Sequence, residues 1–377
     1  MSKIIFENVT KKFRENIAIN NLSFTCNESE FFVILGPSGA GKTTIMNLIA
    51  GLEEVSKGSI YFNDKIINNV EPRYRNIAYA FENYSLYPNL NVYENISFPL
   101  KSPIRKEQFS KEQIDAKIDE ITTKLQIEEL LSRNINQLSG GQKQRVVLAR
   151  TLVREPEVYL LDEAIAHLDS KLRHEARAML KKIQVEKKTT TIFATPDYFE
   201  ALAMADRVAI INYGTLQQLD TSEDIYRYPA NVFVAKYFSE PPMNTFFGKL
   251  FSKDSEMLIN VNGISFIIPN KIKEILSEKS IESQVIVGIR SDDMSIAKEG
   301  NANSNKSNII TGEINGIEYF GDTFLYSIKI ADFLTKISLE KPIDKEINEK
   351  ISLQFDMDKI FIFDKGTEKR IWPQRAK

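Results

Sequence analysis

The segment GPSGAGKT, residues 36–43, has the spacing of a phosphate-binding loop. Its glycines let backbone N–H groups face phosphate oxygens, its lysine can span the β and γ phosphates, and its threonine hydroxyl suits Mg²⁺. The apolar run FFVIL precedes the loop and the helical pattern TIMNLIAGL follows it, as the motif requires. We therefore predict that ATP or GTP binds here. The predicted contact residues are Gly36, Pro37, Ser38, Gly39, Ala40, Gly41, Lys42, Thr43 and Thr44.

A second apolar run, VYLLDE, ends in two carboxylates. We predict that Asp162 holds Mg²⁺ through water, together with Thr43, and that Glu163 polarises the water that attacks the phosphate. Two solvated carboxylates at a strand end are the alternative, but a complete phosphate loop on the same chain favours catalysis. The predicted catalytic residues are therefore Glu163 and Lys42, and the predicted cofactors are ATP and Mg²⁺.

The segment LSGGQKQR, residues 138–145, opens the helical pattern QRVVLARTL. Two glycines at a helix start expose N–H groups at the positive end of the helix dipole, which indicates a second anion site. Its residues are Ser139, Gly140, Gly141 and Gln142. A capped helix is the alternative, and it explains the serine but not the adjacent glycines. Because a helical segment separates this site from the phosphate loop, we do not expect it to reach the nucleotide of its own chain.

Strands that alternate with helices must position these motifs. Such alternation is typical of a mostly parallel sheet covered on both faces. Apolar residues spaced three and four apart predict an amphipathic helix over residues 111–131, which we assign to a helical subdomain at about residues 84–155. These apolar residues are Ile114, Ile118, Ile121 and Leu125. The sequence predicts an α/β P-loop NTPase, with a RecA-like sheet core and this inserted helical subdomain, at residues 1–238.

The pattern changes after SEPPMNTF, residues 239–246, where paired prolines indicate a linker. Beyond it, MLINVNGISFII alternates about Asn262-Gly263, a strong signal for a two-residue hairpin. More short apolar strands follow, and the polar segment at residues 298–308 is predicted to be a solvated loop. We predict an all-β, OB-like regulatory domain at residues 247–377, without a catalytic constellation.

Composition limits the function classes. A chain of 377 residues is long enough for two or three domains. Its 49 basic and 51 acidic residues are balanced and form no long basic block, so nucleic acid is not an expected partner. A single cysteine excludes an internal disulfide and fits a reducing compartment. No apolar stretch reaches the roughly 18 residues of a membrane span, so a membrane role is expected to be peripheral.

The phosphate loop, LSGGQ and LLDE occur in an order that resembles the ATP-binding-cassette (ABC) ATPases, and among them the ATPase subunits of bacterial carbohydrate importers. The resemblance extends over almost the whole chain. Residues 83–98, NYSLYPNLNVYENISF, resemble the stretch that receives the coupling helix of the membrane subunits. The segments PANVFVAKYFSEPPMNTF and VIVGIRSDDM resemble the linker and regulatory domain of that group.

This resemblance implies further roles. Phe13 would stack on adenine, and residues 167–169 would form the loop that crosses a dimer interface. Two cassettes would pack head to tail, with each ATP between the phosphate loop of one chain and the LSGGQ of the other. The family also implies transmembrane permease subunits, an external solute-binding protein, and a location at the cytoplasmic face of the membrane. The solute would be a sugar, polyol or related compound.

Two positions depart from the family pattern. Glu82 stands where these ATPases carry a glutamine that contacts Mg²⁺ and water, and Pro196 stands where they carry a histidine that contacts the γ-phosphate. Glu82 could still bind Mg²⁺, but proline has no side-chain donor and no N–H. Loss of one donor to a developing oxyanion slows a reaction by about 10²–10³. We therefore expect an impaired site of its own and a heterodimer with a second ABC ATPase.

Three alternatives remain at this point. The chain could pair with itself as a homodimer. It could be a regulatory subunit that binds ATP without hydrolysing it, although Glu163 and the intact LSGGQ disfavour this. It could also be a cassette protein of translation or repair, which the coupling-type segment and the β module disfavour.

Overall fold

The computed structural model describes residues 2–102, 109–253, 256–276, 283–297, 308–321 and 323–375. The chain divides into two compact units, Met1–Ser222 and Glu223–Lys377. The segment for which we predicted a linker, residues 239–246, lies within the second unit. The polar segment predicted to be a solvated loop lies, except for Asn308, outside the described residues.

The first unit contains ten strands and six helices among its described residues. In chain order they are β1 (Ile4–Phe13), β2 (Asn16–Cys26), β3 (Phe31–Leu35), α1 (Lys42–Ala50), β4 (Lys57–Phe62), β5 (Lys65–Ile66), β6 (Ile77–Ala80), α2 (Val92–Ser97), α3 (Lys111–Leu125), α4 (Gly140–Leu152), β7 (Val158–Asp162), α5 (Ser170–Lys187), β8 (Thr190–Thr195), α6 (Tyr198–Met204), β9 (Arg207–Asn212) and β10 (Thr215–Asp220).

The central sheet has the strand order β10-β9-β3-β8-β7-β6, and all of its pairings except β10 with β9 are parallel. Every residue of β3, β7 and β8 is buried, because helices cover both faces of a parallel sheet. The three strands run in the same direction and lie side by side. Their carboxyl ends therefore bring Gly36, Glu163 and Pro196 to one edge of the sheet, where open α/β sheets bind ligands.

A second, antiparallel sheet has the order β2-β1-β4-β5. Its apolar face and one face of the central sheet share a buried core. The hairpin of β1 and β2 joins these strands at Phe13 and Asn16, which are paired. The hairpin packs on the central sheet through buried residues such as Val9 and Ile19, whereas residues 12–17 at its turn are exposed.

The helices α2, α3 and α4 all come between β6 and β7. The predicted amphipathic helix is confirmed over 111–125, and all four apolar positions named for it are buried. Its predicted end at residue 131 was wrong, because Gln126 takes a left-handed conformation and its N–H caps the carbonyls of Thr122 and Thr123. A 3₁₀ turn at Glu128–Leu130 follows and buries Leu130.

The second unit contains three helices and eleven strands among its described residues. They are α7 (Ser222–Arg227), α8 (Val232–Tyr237), β11 (Asn244–Lys253), β12 (Glu256–Val261), β13 (Ile264–Ile267), α9 (Asn270–Leu276), β14 (Gln284–Ile289), β15 (Met294–Ile296), β16 (Ile309–Phe320), β17 (Thr323–Ile330), β18 (Phe333–Leu339), β19 (Lys350–Phe355), β20 (Phe361–Asp364) and β21 (Arg370–Trp372).

These strands form two antiparallel sheets, of order β13-β12-β11-β14-β20-β21 and β15-β19-β16-β17-β18. One apolar core lies between them. The predicted hairpin is confirmed: β12 pairs with β13, and Asn262 and Gly263 both have positive φ, as a two-residue turn requires. The helix α8 packs through Val232 and Ala235 against Phe361 and Phe363 of the sheet. Among the described residues of both units, no helix is long and apolar enough to cross a bilayer.

Candidate nucleotide-binding site

The phosphate loop connects β3 to α1 and is shaped by two left-handed glycines. Gly41 has φ of 104° at the helix start, and a Cβ there would lie 2.7 Å from Cδ1 of Ile19. Gly39 has φ of 77°, and a Cβ there would meet nothing within 4 Å. Only glycine adopts such backbone angles without strain. The loop is therefore closed against β2 at Gly41 and open above Gly39, which leaves space for a phosphate.

The ammonium of Lys42 is buried under this loop. Its Nζ donates to the carbonyl oxygens of Gly36, at 3.0 Å, and Pro37, at 3.2 Å, and lies 3.4 Å from Oε1 of Glu163. These three contacts use the three donors of the ammonium. To bind a phosphate in the loop, the ammonium would therefore have to exchange one of these contacts for a phosphate oxygen.

The carboxylate of Asp162 lies at the end of β7 and is 1% exposed. Its Oδ2 accepts a long hydrogen bond of 3.4 Å from Tyr79, and its Oδ1 is buried without a hydrogen-bond partner among the described residues. Burial raises the pKa of Asp162 from 3.8 to about 6, and the charges of Glu82 and Glu163 act in the same direction. The nearby Thr43 hydroxyl and Lys42 lower this pKa.

An unpaired, buried carboxylate oxygen fits a divalent cation. Oxygen ligands are those that Mg²⁺ prefers, and Asp162 and Thr43 would supply them. Among the described residues, no three His, Cys, Asp or Glu side chains form a cluster that could hold a metal by themselves. Mg²⁺ commonly uses one or two protein carboxylates and completes its shell with substrate phosphates and water.

Glu163 is held in an unusual backbone conformation. Its φ is 47°, in the left-handed region that non-glycine residues adopt only at a cost of about 1–3 kcal/mol. Two contacts fix it: its N–H donates to the carbonyl of Ala194 at 2.9 Å, and its carbonyl accepts from Nε2 of Gln144 at 3.0 Å. Strain of this kind is concentrated at functional sites. The side chain is partly exposed and reaches Lys42.

A cleft of about 490 Å³ brings most of the predicted residues together. Glu82, Glu163 and Pro196 line one part of it. The phosphate loop lines it through Ser38, Gly39, Gly41, Lys42, Thr43 and Thr44. Gly36, Pro37 and Ala40 belong to the loop but do not line the cleft. Both positions that depart from the family pattern therefore line the same cleft as Lys42 and Glu163.

The sequence analysis missed four residues of the cleft: Asn16, Ile17, Ala18 and Tyr213. The first three begin β2 beside the hairpin turn. The prediction that Phe13 contacts the base pointed to the correct hairpin but did not include these three residues. No motif marks Tyr213, which the fold brings to the cleft from the turn between β9 and β10.

The ring of Phe13 is 42% exposed. The ammonium of Lys11 lies 4.7 Å from its centroid and is itself held by Glu53 at 2.8 Å and by the carbonyl of Glu54 at 2.9 Å. A fixed cation therefore covers part of the ring. The exposed part is available for stacking on a nucleotide base.

The LSGGQ segment lies at the N-terminus of α4 and outside this cleft. Ser139 and Gln142 form a capping box, in which the serine side chain accepts from the N–H of Gln142 and the glutamine side chain accepts from the N–H of Ser139. Neither Gly140 nor Gly141 has a positive φ. A Cβ on either would come no closer than 3.4 Å to another atom, which is an ordinary contact. Among the described residues of this chain, neither the backbone angles nor the neighbouring atoms therefore require glycine at these two positions.

The predicted interface loop at residues 167–169 is linked to two other motifs. The His167 Nδ1 lies 3.2 Å from the hydroxyl of Tyr84, within the segment expected to receive a coupling helix. The backbone N–H of His167 donates to Gln144, the same side chain that contacts the carbonyl of Glu163. Asp169 caps the N-terminus of α5. His167 therefore connects residues 83–98 with Glu163, the glutamate predicted to be catalytic, through side chains of its own chain.

Comparison with known proteins agrees with this geometry. The profile of the family described as ABC transporter matches residues 19–166. The trehalose/maltose import ATP-binding protein MalK of Thermococcus litoralis is 38% identical over 381 residues, covering 99% of this chain and 100% of the relative. The oligosaccharides import ATP-binding protein MsmX of Bacillus subtilis is 39% identical over 378 residues, covering 98% of this chain and 100% of the relative.

A solved structure shows the same fold over more than half of the chain. The dimeric, post-hydrolysis state of the ATP-binding cassette MJ0796 bound to ADP and Pi has a TM-score of 0.54 and 30% identity, and the match covers 58% of this chain and 98% of that one. The chain therefore belongs to the ABC transporter ATP-binding proteins. It is a transport ATPase whose nucleotide is ATP, and the predicted P-loop fold with an all-β C-terminal part is confirmed.

Proposed function

We propose that the chain is the MgATP-binding subunit of an ABC importer and drives solute uptake from the cytoplasmic face of the membrane. One observation carries this proposal: Lys42, Thr43 and Glu163 line a single cleft beside the buried, unpaired carboxylate of Asp162. The nucleotide is bound through the phosphate loop. Thr43, Asp162 and Glu82 are the candidate ligands of Mg²⁺, and Glu163 polarises the attacking water.

The importer is a carbohydrate-type system, and its solute is a sugar, polyol or related compound. Support comes from full-length relatives whose names state trehalose/maltose and oligosaccharide import. The partners are transmembrane permease subunits, which dock near residues 83–98, and an external solute-binding protein that acts through them. Co-purification of this chain from its native membrane tests the partners, and the identity of the co-purified permease narrows the solute.

Nucleotide is held between two ATPase chains. The glycines at positions 140 and 141 support this, because neither backbone angles nor neighbouring atoms in one chain require them. Gly140 is exposed, and a missing Cβ at an exposed helix N-terminus lets a phosphate come close to the backbone N–H groups. In this arrangement the LSGGQ of one chain completes the site on its partner.

We further propose that the partner is a different ABC ATPase and that the two sites are unequal. Glu82 and Pro196 both face the cleft of this chain, so a homodimer would carry both departures in each site. Glu82 adds a negative charge beside Asp162 and Glu163, and Pro196 offers no donor to the γ-phosphate. A heterodimer confines the slow site to one side. In the other site, on the partner's phosphate loop, this chain supplies an intact LSGGQ.

The test compares single-chain variants in the assembled transporter. Ser139→Arg here blocks the partner's site and should remove most ATP hydrolysis, whereas Lys42→Ala here disables only the slow site and should leave much of it. Pro196→His should raise turnover at the site of this chain. If the purified chain alone forms a homodimer that hydrolyses ATP as fast as the whole transporter, the asymmetric pair is wrong.

A second candidate function is a regulatory subunit that binds ATP and closes without turnover. The observation that favours it is the same pair of side chains, Glu82 and Pro196, in the cleft. The two candidates differ in one measurement. A regulatory subunit releases no phosphate from its own site even when the partner's site is blocked by Ser139→Arg, whereas the slow ATPase retains a measurable, Glu163-dependent rate.

A further inference from the structure

Tyr213 is an exposed aromatic residue at the nucleotide cleft to which no function has been assigned. It occupies the two-residue turn between β9 and β10, with Gly214 as the second residue. Its side chain is 85% exposed, and among the described residues it makes no hydrogen bond, ion pair or ring contact. With so little of the side chain buried, it contributes little to the stability of the described part of the nucleotide-free chain.

The turn itself does not favour tyrosine. Tyr213 and Gly214 have φ of 45° and 69°, the angles of a turn that prefers Asn-Gly or Asp-Gly. A bulky residue with positive φ is strained, whereas asparagine tolerates these angles. The residue at position 213 therefore weakens the turn, which suggests that its side chain serves another purpose.

The fold fixes the position of this turn. The N–H of Gly214 donates to the carbonyl of Ala40, in the phosphate loop, and its carbonyl accepts from the N–H of Asn20, in β2, both at 2.9 Å. A Cβ on Gly214 would lie 2.3 Å from the carbonyl oxygen of Ala18, so the turn packs directly on β2. Tyr213 is therefore presented to the cleft by a rigid connection and not by a loose loop.

Its neighbours indicate which part of a nucleotide it would meet. Tyr213 lines the cleft together with Asn16, Ile17 and Ala18, which begin β2. Asn16 pairs with Phe13, the residue expected to stack on the base. The terminal phosphate belongs at the other part of the cleft, near Glu163 and Pro196. The space beside the start of β2 therefore receives the nucleoside.

We propose that Tyr213 contacts the nucleoside part of the bound nucleotide and is a second aromatic determinant of nucleotide affinity, in addition to Phe13. This inference rests on the proposed nucleotide site and adds a residue to it. The ring supplies a flat apolar surface against the ribose and base, and it leaves the phosphates to Lys42 and the loop. Its contribution should therefore depend on the nucleoside and be independent of the phosphates.

The test measures dissociation constants of the full chain for Mg²⁺-ADP, and for Mg²⁺-pyrophosphate by competition with ADP. With these two ligands, no ATP is hydrolysed during the measurement. Tyr213→Ala should raise the ADP dissociation constant about tenfold, within the range that base–aromatic contacts give, and leave that of pyrophosphate unchanged. Tyr213→Phe should bind ADP as the parent does. Tyr74→Ala removes another exposed tyrosine, outside the cleft, and should change neither constant.

A stability measurement separates this role from a structural one. Tyr213→Asn should raise the melting temperature of the nucleotide-free chain, because asparagine suits the turn, and should still weaken ADP binding. Unchanged ADP affinity in both Tyr213→Ala and Tyr213→Asn would overturn the inference, as would an equal loss for ADP and pyrophosphate. The proposed nucleotide site itself fails only if Lys42→Ala retains both ligands.

Discussion

Replacing Asp162 with asparagine should stabilise the nucleotide-free protein at neutral pH while removing its response to Mg²⁺. The carboxylate is 1% exposed, one of its oxygens has no hydrogen-bond partner among the described residues, and two further carboxylates raise its pKa. At neutral pH it is ionised, and Lys42 offsets only part of the cost of burying its charge. Asparagine removes the buried charge and keeps the size of the side chain.

The pKa of Asp162 gives the magnitude of the expected change in the free energy of unfolding and the direction in which it varies with pH. A rise from 3.8 to about 6 corresponds to a penalty of about 3 kcal/mol when the carboxylate is ionised. Because the folded chain binds this proton more tightly than the unfolded chain, the free energy of unfolding falls as the pH rises from about 4 to about 6. Asp162→Asn should therefore gain stability at pH 7, by up to about 3 kcal/mol, and gain about 1 kcal/mol less at pH 5.

The assay is calorimetric unfolding in EDTA without nucleotide, at pH 5 and pH 7, followed by the same melts with MgATP. The matched control is Asp119→Asn, which removes an exposed carboxylate on α3 and should have little effect at either pH. A variant that is less stable than the parent at pH 7, or equally stabilised at both pH values, refutes the electrostatic argument. A variant that still gains stability when Mg²⁺ is added to ATP refutes the role of Asp162 as a metal ligand.

Three other predictions use simpler measurements. Lys42→Ala should abolish ATP binding in a calorimetric titration, because it removes the ammonium at the phosphate loop, and circular dichroism should report an unchanged fold. Gly140→Ala should leave the melting temperature unchanged or slightly raised, since a Cβ fits there. The same variant should lower ATP hydrolysis of the assembled transporter at least tenfold. Unchanged hydrolysis would mean that no phosphate approaches this backbone. A chain ending at Ser222 should fold and bind ATP. A chain ending at Glu240 should also bind ATP but aggregate more readily, because α8 then exposes Val232 and Ala235. Identical solubility of the two chains would contradict this packing argument.

Local motifs were sufficient to predict the phosphate loop, the parallel strands and the hairpin at Asn262-Gly263. In each case the backbone angles and the side-chain chemistry are set by residues close in sequence. The end of α3 could not be predicted in the same way. Gln126 is a good helix former, and the helix stops there because Ile127 and Leu130 are buried by tertiary packing, which periodicity alone does not reveal.

In the cleft, too, residues set by local motifs were predicted and residues placed by tertiary contacts were not. Its motif residues were found because a phosphate and a cation impose strict requirements on the chain. Tyr213 and the start of β2 were missed because they reach the cleft only through strand pairing and turn contacts between distant segments. The backbone strain at Glu163 could not be predicted from the sequence either. It depends on the hydrogen bonds that Glu163 makes with β8 and α4, which hold the residue in place.

The two departures from the family pattern act on the same electrostatic balance. Glu82 and Glu163 lie close enough to Asp162 to raise its pKa, and Lys42 is the one ammonium among the residues that line the described cleft. A histidine at position 196 could have offered a further donor to the terminal phosphate, and proline cannot. We therefore expect ATP binding to depend strongly on Mg²⁺, which Asp162 and Thr43 would hold and which would offset part of this negative charge. We propose that a site with these residues holds MgATP longer than it turns it over, which is the property that an unequal pair of sites would need on one side.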